Sequence, residues 1–186
     1  MMNEDTSRLE VVDRRQIRMM VYAALMAALT AAGAWIAIPV GPVPIVLQNL
    51  FIYLAGLLLG SRWALISVSV YLLAGACGLP VFAGGLGGVG RFAGPTGGYL
   101  VGYLPAVWLI GFLSEKRPGV VFDLVGMVLA TALIYGVGTT WLHVLTGLSW
   151  PKTLAVGMLP FLPGDAVKIA AAAGIARTLR PVVKME

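Results

Sequence analysis

Five ionisable side chains lie within or beside long apolar runs: Arg91, Asp123, His143, Asp165 and Lys168. A charge held in such surroundings is costly and therefore a candidate for function. Asp165 and Lys168 stand at i and i+3, a spacing that puts both on one face of a helix. Pro163 suits a first helical position, so Asp165 falls in the first turn. The plain structural alternative is an intrahelical ion pair that also complements the helix start. The functional reading is a donor–acceptor pair presented to a small polar ligand. It is favoured because the flanking apolar sequence offers neither charge another obvious partner.

The segment 79–97 is rich in glycine and carries Arg91 as its only charge. Connections this long are commonly functional or disordered, and Phe82, Leu86 and Phe92 argue against a disordered linker. Glycine lets backbone amides approach a ligand, and Arg91 can hold a carboxylate through a bidentate fork or meet a lipid headgroup. Gln48 opens a helix after the turn containing Pro42 and Pro44, where it either caps the helix or contacts a ligand. Residues 85–90 match G-x-G-x-x-G, but no strand precedes them, so this is no dinucleotide site. A P-loop motif is also missing from the sequence. Asp123 reads as a first-turn acid complementing the helix dipole. His143 reads as a packed or interfacial histidine without a second ligand-type neighbour. No metal or cofactor is expected.

These side chains need an apolar scaffold to position them. Of 186 residues, 59% are hydrophobic and 11% charged, with a mean hydropathy of +0.91. Soluble domains carry about 25% charged residues. An ordinary soluble enzyme, a disordered chain and a nucleic-acid binder are thereby excluded. The net charge of +5 is spread as punctuation between apolar runs, not gathered into a stripe. Cys77, the single cysteine, excludes an intramolecular disulfide and is expected to be a small buried hydrophobe.

The expected fold is all-α: one membrane domain of six transmembrane helices over residues 17–38, 46–59, 63–78, 98–113, 120–145 and 163–179. Residues 1–16 are expected to form a cytoplasmic or interfacial segment, with no cleavable signal peptide. Continuous rather than alternating apolar runs argue against sheets and barrels. With both termini inside, Arg8, Arg14, Arg15, Arg18, Arg62, Lys116, Arg117, Arg177, Arg180 and Lys184 are cytoplasmic. Only Arg91 and Lys152 fall in outer loops. This topology brings Gln48, Arg91, Thr96, Asp165 and Lys168 to the outer side, around an externally open pocket with a Gly-rich lid. Helix 1 places small residues at i and i+4 in two registers, through Ala23, Ala27 and Ala31 and through Ala24, Ala28 and Ala32. Such faces serve internal packing or docking of another membrane protein. Gly94, Gly98 and Gly102 repeat the spacing.

Four blocks then carry a resemblance: Pro42-Val43-Pro44-Ile45-Val46-Leu47-Gln48, Gly78-Leu79-Pro80-Val81-Phe82, Gly94-Pro95-Thr96-Gly97-Gly98-Tyr99, and Pro160 to Lys168 with its Pro-Gly-Asp-x-x-Lys core. Together they resemble the BioY family, the biotin-specific substrate-binding (S) components of energy-coupling factor (ECF) transporters. The resemblance implies biotin binding on the outer side of a prokaryotic cell membrane. It also implies assembly with a transmembrane coupling protein (T component) and two cytoplasmic ATPases. It assigns the helix 1 alanines Ala23, Ala24, Ala27 and Ala28 to the coupling protein. Biotin's chemistry then gives roles to Gln48, Arg91, Tyr99, Asp165 and Lys168. The ureido ring meets Asp165 and Lys168, the carboxylate meets Arg91, and Trp35, Phe82, Phe92 and Tyr99 supply apolar walls.

Two rival readings are weaker. A self-sufficient secondary transporter or channel usually shows internal repeats and broken midplane helices, and no convincing repeat relates the halves. A membrane enzyme needs a catalytic constellation, but the only Cys and His lie on different helices.

Overall fold

The computed structural model describes residues 4–39 and 41–184, with side chains from 14 to 183 excepting residue 40. The side chains of Arg8 and Lys184, and residues 1–3 of the expected N-terminal segment, lie outside the described residues. Among the described residues six α-helices form the bundle: α1 (Glu4–Trp35), α2 (Gln48–Ala76), α3 (Gly97–Lys116), α4 (Val120–Thr146), α5 (Trp150–Gly157) and α6 (Leu162–Lys184). Between α1 and α2, β1 (Ala37–Ile38) pairs antiparallel with β2 (Ile45–Val46). This two-stranded ribbon closes the Pro/Gly-rich turn and departs from the expectation of no sheet. Its backbone groups need partners where the helices stop.

Among the described residues, four helical segments are long and apolar enough to cross a membrane: Arg14–Trp35, α2, α3 and α4. The pair α5 and α6, bent by 45°, counts as a fifth when taken together. The expected helices over 46–59 and 63–78 are the two limbs of α2. They meet at Gly60, whose φ of 77° and ψ of 177° are non-helical. A positive φ here favours glycine, and a Cβ would sit 2.0 Å from the Glu115 carboxylate. That carboxylate accepts the Ser61 backbone N–H at 3.0 Å and its hydroxyl at 2.7 Å, capping the second limb. The limbs fold back on each other: Phe82, edge to face with Tyr71 of the second limb, lines one cavity with Gln48 at the start of the first, so Gln48 and Tyr71 are brought to the same end. In a straight helix those positions would be about 35 Å apart.

The first limb of α2 is the centre of the bundle. Residues 52–60 are all buried, as expected for a helix that is apolar all round. α2 packs against α1, α3 and α6, and α3 packs against α4. Close helix approach comes from small residues. A Cβ on Gly98 would meet Trp141, and one on Gly138 would meet the Tyr99 ring, each at 2.3 Å. Gly98 and Gly102 of the second small-residue stripe therefore face α4.

The α1 alanines divide by register. Ala23 and Ala27 are buried in the core at 4% and 7% exposure, which corrects their assignment to a partner surface. Ala24 and Ala28 point outward. The reason is the helical repeat: adjacent residues lie 100° apart, so only one register can face α2.

Other departures are local. From Glu4 onward the expected N-terminal segment is continuous with α1, since no proline or glycine interrupts residues 4–32. The connection before α6 contains α5, which was not expected. Cys77 is exposed, not buried, because α2 ends at Ala76 and leaves it at the cap. Asp123 is in the first turn of α4 as expected, but its carboxylate also pairs with Arg180 at 2.9 Å. Arg180 Nη2 bonds the Ser114 hydroxyl at 3.0 Å as well. His143 stacks on Trp150 and bonds the Leu148 carbonyl at 2.6 Å.

Candidate functional site

At the end of the bundle where α2, α3 and α6 begin, a cavity of about 150 Å³ opens beneath the segment between α2 and α3. Its polar centre is Asp165, only 2% exposed. Burying a carboxylate requires several donors, and three helices supply them. Lys168 Nζ donates to Oδ1 at 2.9 Å from one turn along α6. Asn49 Nδ2, from the first turn of α2, donates to the same oxygen at 3.4 Å. The Tyr135 hydroxyl on α4 donates to Oδ2. Tyr103 on α3 donates to Asn49 Oδ1 at 3.2 Å, which orients the amide. Lys168, 9% exposed, keeps two ammonium N–H groups for other acceptors.

Two further donors line the cavity without partners. Gln48 is 2% exposed and its Nε2 makes no hydrogen bond. Such a buried orphan costs free energy unless something else satisfies it. Arg91 sits at the end of a 3-10 turn, Val89–Arg91, in the covering segment. Neither ion pair among the described residues involves it. The cavity thus holds both an uncommitted guanidinium and a balanced donor–acceptor cluster. Phe82, Leu86, Leu100, Ile134 and Phe161 supply apolar lining. This arrangement suits a molecule that combines an anion, a neutral group of mixed donors and acceptors, and an apolar body.

Gln48, Arg91, Tyr99, Asp165 and Lys168 all line this one cavity. Tyr99 contributes its ring while its hydroxyl bonds the Gly157 carbonyl at 2.8 Å, tying α3 to α5. Of the expected aromatic walls, Phe82 and Tyr99 are present but Trp35 and Phe92 are not. Phe92 supports Phe82 from behind, edge to face at 5.7 Å. Sequence reading missed Asn49, Tyr103, Tyr135 and Phe161 as lining residues. Tyr103 repeats Tyr99 at i+4 and was open to discovery by helical spacing. Tyr135, on a different helix, carried no such signal. Among the described residues no His, Cys, Asp and Glu side chains cluster as a metal site requires.

The covering segment is fastened at both sides. Trp35 Nε1 donates to the Pro80 carbonyl at 2.7 Å, and Trp141 Nε1 to that of Gly94 at 2.9 Å. Trp35→Phe keeps an aromatic ring but deletes the first bond. With a net value of about 0.5–1.5 kcal/mol for one hydrogen bond, amide exchange over residues 79–92 is expected to quicken about two- to tenfold. Hydrogen-exchange mass spectrometry without ligand checks this, and unchanged exchange would show that Trp35 does not hold the segment.

Comparison with known proteins shows the family. The sequence pattern described as the BioY family matches residues 3–185. The biotin transporter BioY of Thermotoga maritima is 39% identical over 164 residues, covering 88% of this chain and 96% of that protein. The biotin transporter BioY of Rhizobium etli is 39% identical, covering 87% and 92%. A solved structure, described as the S-component for biotin from an ECF-type ABC transporter, superposes with a TM-score of 0.84 at 34% identity. It is matched over 90% of this chain and 93% of its own. With its family pattern matched almost end to end and its bundle shared with that structure, this chain belongs to the BioY family.

Proposed function

We propose that this protein binds biotin in the cavity around Asp165 as the membrane-embedded S component of an ECF-type vitamin uptake system. It is a transport subunit, not an enzyme, in a prokaryotic cell membrane. The observation that carries the reading is the presence, in one cavity, of an arginine outside any described ion pair and the buried Asp165–Lys168 pair. Biotin has one carboxylate, an apolar bicycle and tail, and a ureido group with two N–H donors and one carbonyl. Arg91 holds the carboxylate, since Lys168 is already committed to Asp165. Asp165 accepts from the ureido N–H groups, Lys168 donates to the carbonyl, and Gln48 supplies a further donor. On the distribution of basic residues the Gly60 turn of α2 faces the cytoplasm in this reading, and the cavity opens outward.

Biotin titrated into the purified, ligand-stripped protein is expected to bind at one site per chain. Biotin amide, which lacks the anion, is expected to bind at least tenfold more weakly, with Arg91→Gln removing most of that difference. Absence of biotin binding by calorimetry, or equal affinity for acid and amide, would sink the reading.

Uptake on this reading needs a T component and two cytoplasmic ATPases, since the sequence contains no P-loop. The outward register Ala24 and Ala28 is the docking face, because small residues allow close helix approach in lipid. Ala28→Trp is expected to cut co-purification with the coupling protein at least tenfold while leaving biotin affinity within twofold. Wild-type yield of the complex would remove this face from the interface.

A further inference from the structure

The end of the bundle opposite the biotin cavity holds a second and larger cavity, about 720 Å³, between the first half of α1 and the turn of α2 at Gly60. Arg15, Arg18 and Arg62 line it, together with the amide residue Gln16. Its one acid, Glu115, already has both oxygens engaged by Ser61. The neighbouring Arg180 is neutralised by Asp123, but neither Arg15 nor Arg62 takes part in an ion pair among the described residues. The floor is apolar, formed by Met19, Leu57, Leu58 and Trp63. Beside it the outer face of α1 continues with Ile17, Met20 and Val21, each more than half exposed.

The geometry points to a binding site for the phosphate headgroup of an anionic phospholipid, with an acyl chain running along α1. Arg15 and Arg62 bring positive charge that no ion pair among the described residues offsets. Guanidinium forks match phosphate oxygens. The apolar floor and the α1 face favour a headgroup attached to a tail over free phosphate, and basic cavities between helices at this level suit anionic lipid heads. Membrane residence is the only part of the functional reading on which this site depends.

The test uses the full chain in detergent. Dioleoylphosphatidylglycerol, dioleoylphosphatidylcholine or inorganic phosphate is added, and binding is read by native mass spectrometry and thermal melting. Phosphatidylglycerol is expected to be retained and to raise the melting temperature. Arg15→Gln and Arg62→Gln, both at exposed positions, are each expected to weaken its binding about fivefold. Arg14→Gln, exposed but outside the cavity, is the charge-matched control and should leave it unchanged. Biotin binding reports that every variant is folded, and intact melting without lipid does so if biotin is not the ligand. Equal retention of phosphatidylcholine would overturn the site, as would an equal shift from inorganic phosphate or an unaffected double variant. A double variant that keeps lipid binding but loses the coupling protein would mark the surface as a protein-docking face and equally overturn it.

Discussion

Asp165→Asn is expected to lower biotin affinity at least tenfold. Asparagine keeps the size and one acceptor oxygen, but it loses the charge that three surrounding donors are arranged to meet. A hydrogen bond to a charged group is worth about 1.5–3 kcal/mol, which is one to two orders of magnitude in affinity. The substitution also leaves the Lys168 ammonium buried without its counter-charge, and breaking one side of such a pair costs about 3–5 kcal/mol. A fall in melting temperature should therefore accompany the loss of binding. The biotin amide penalty arises at the other end of the ligand, so it should add to the Asp165→Asn penalty. Calorimetry with both ligands on both proteins tests this. Wild-type affinity in Asp165→Asn would reduce the carboxylate to a helix-start residue and discard the site as drawn.

Lys168→Glu should have the larger effect, abolishing measurable binding. It places a second carboxylate at i+3 from Asp165 in a pocket where both positions are less than one-tenth exposed. Two carboxylates so close cannot both stay ionised at low cost. Either one takes up a proton or the start of α6 shifts away from Asn49 and Tyr135, and in both cases the donor to the ureido carbonyl is lost. Lys168→Met separates charge from folding. It retains an unbranched apolar chain, while Asp165 keeps its bonds from Asn49 and Tyr135. Methionine is expected to give a monodisperse protein that binds biotin more weakly by at least tenfold, with glutamate weaker still. Binding by Lys168→Glu within tenfold of wild type would take Lys168 out of contact with the ligand.

Much of this protein is legible along the chain because the bilayer acts as a one-dimensional filter. Runs without charge mark helices, and the distribution of Lys and Arg marks their ends. From those two properties the residues Gln48, Arg91, Asp165 and Lys168 fall on one side before any packing is known. The i, i+3 spacing of Asp165 and Lys168 also determines that they meet, since an α-helix has a fixed repeat. What the chain could not display is everything that depends on rotation of one helix against another. Ala23 and Ala24 are equivalent in sequence, yet one is core and the other faces outward. Asp123 looks satisfied by its own helix start, yet an arginine 57 positions away completes it. The Asp165 donors Asn49 and Tyr135 come from α2 and α4, and they converge only because Gly60 turns α2 back and glycines let α3 approach α4. Hydropathy carries the depth of a residue in the membrane but not its azimuth. The azimuth is decided by side-chain packing between helices, where small residues permit contact and large ones set the angle.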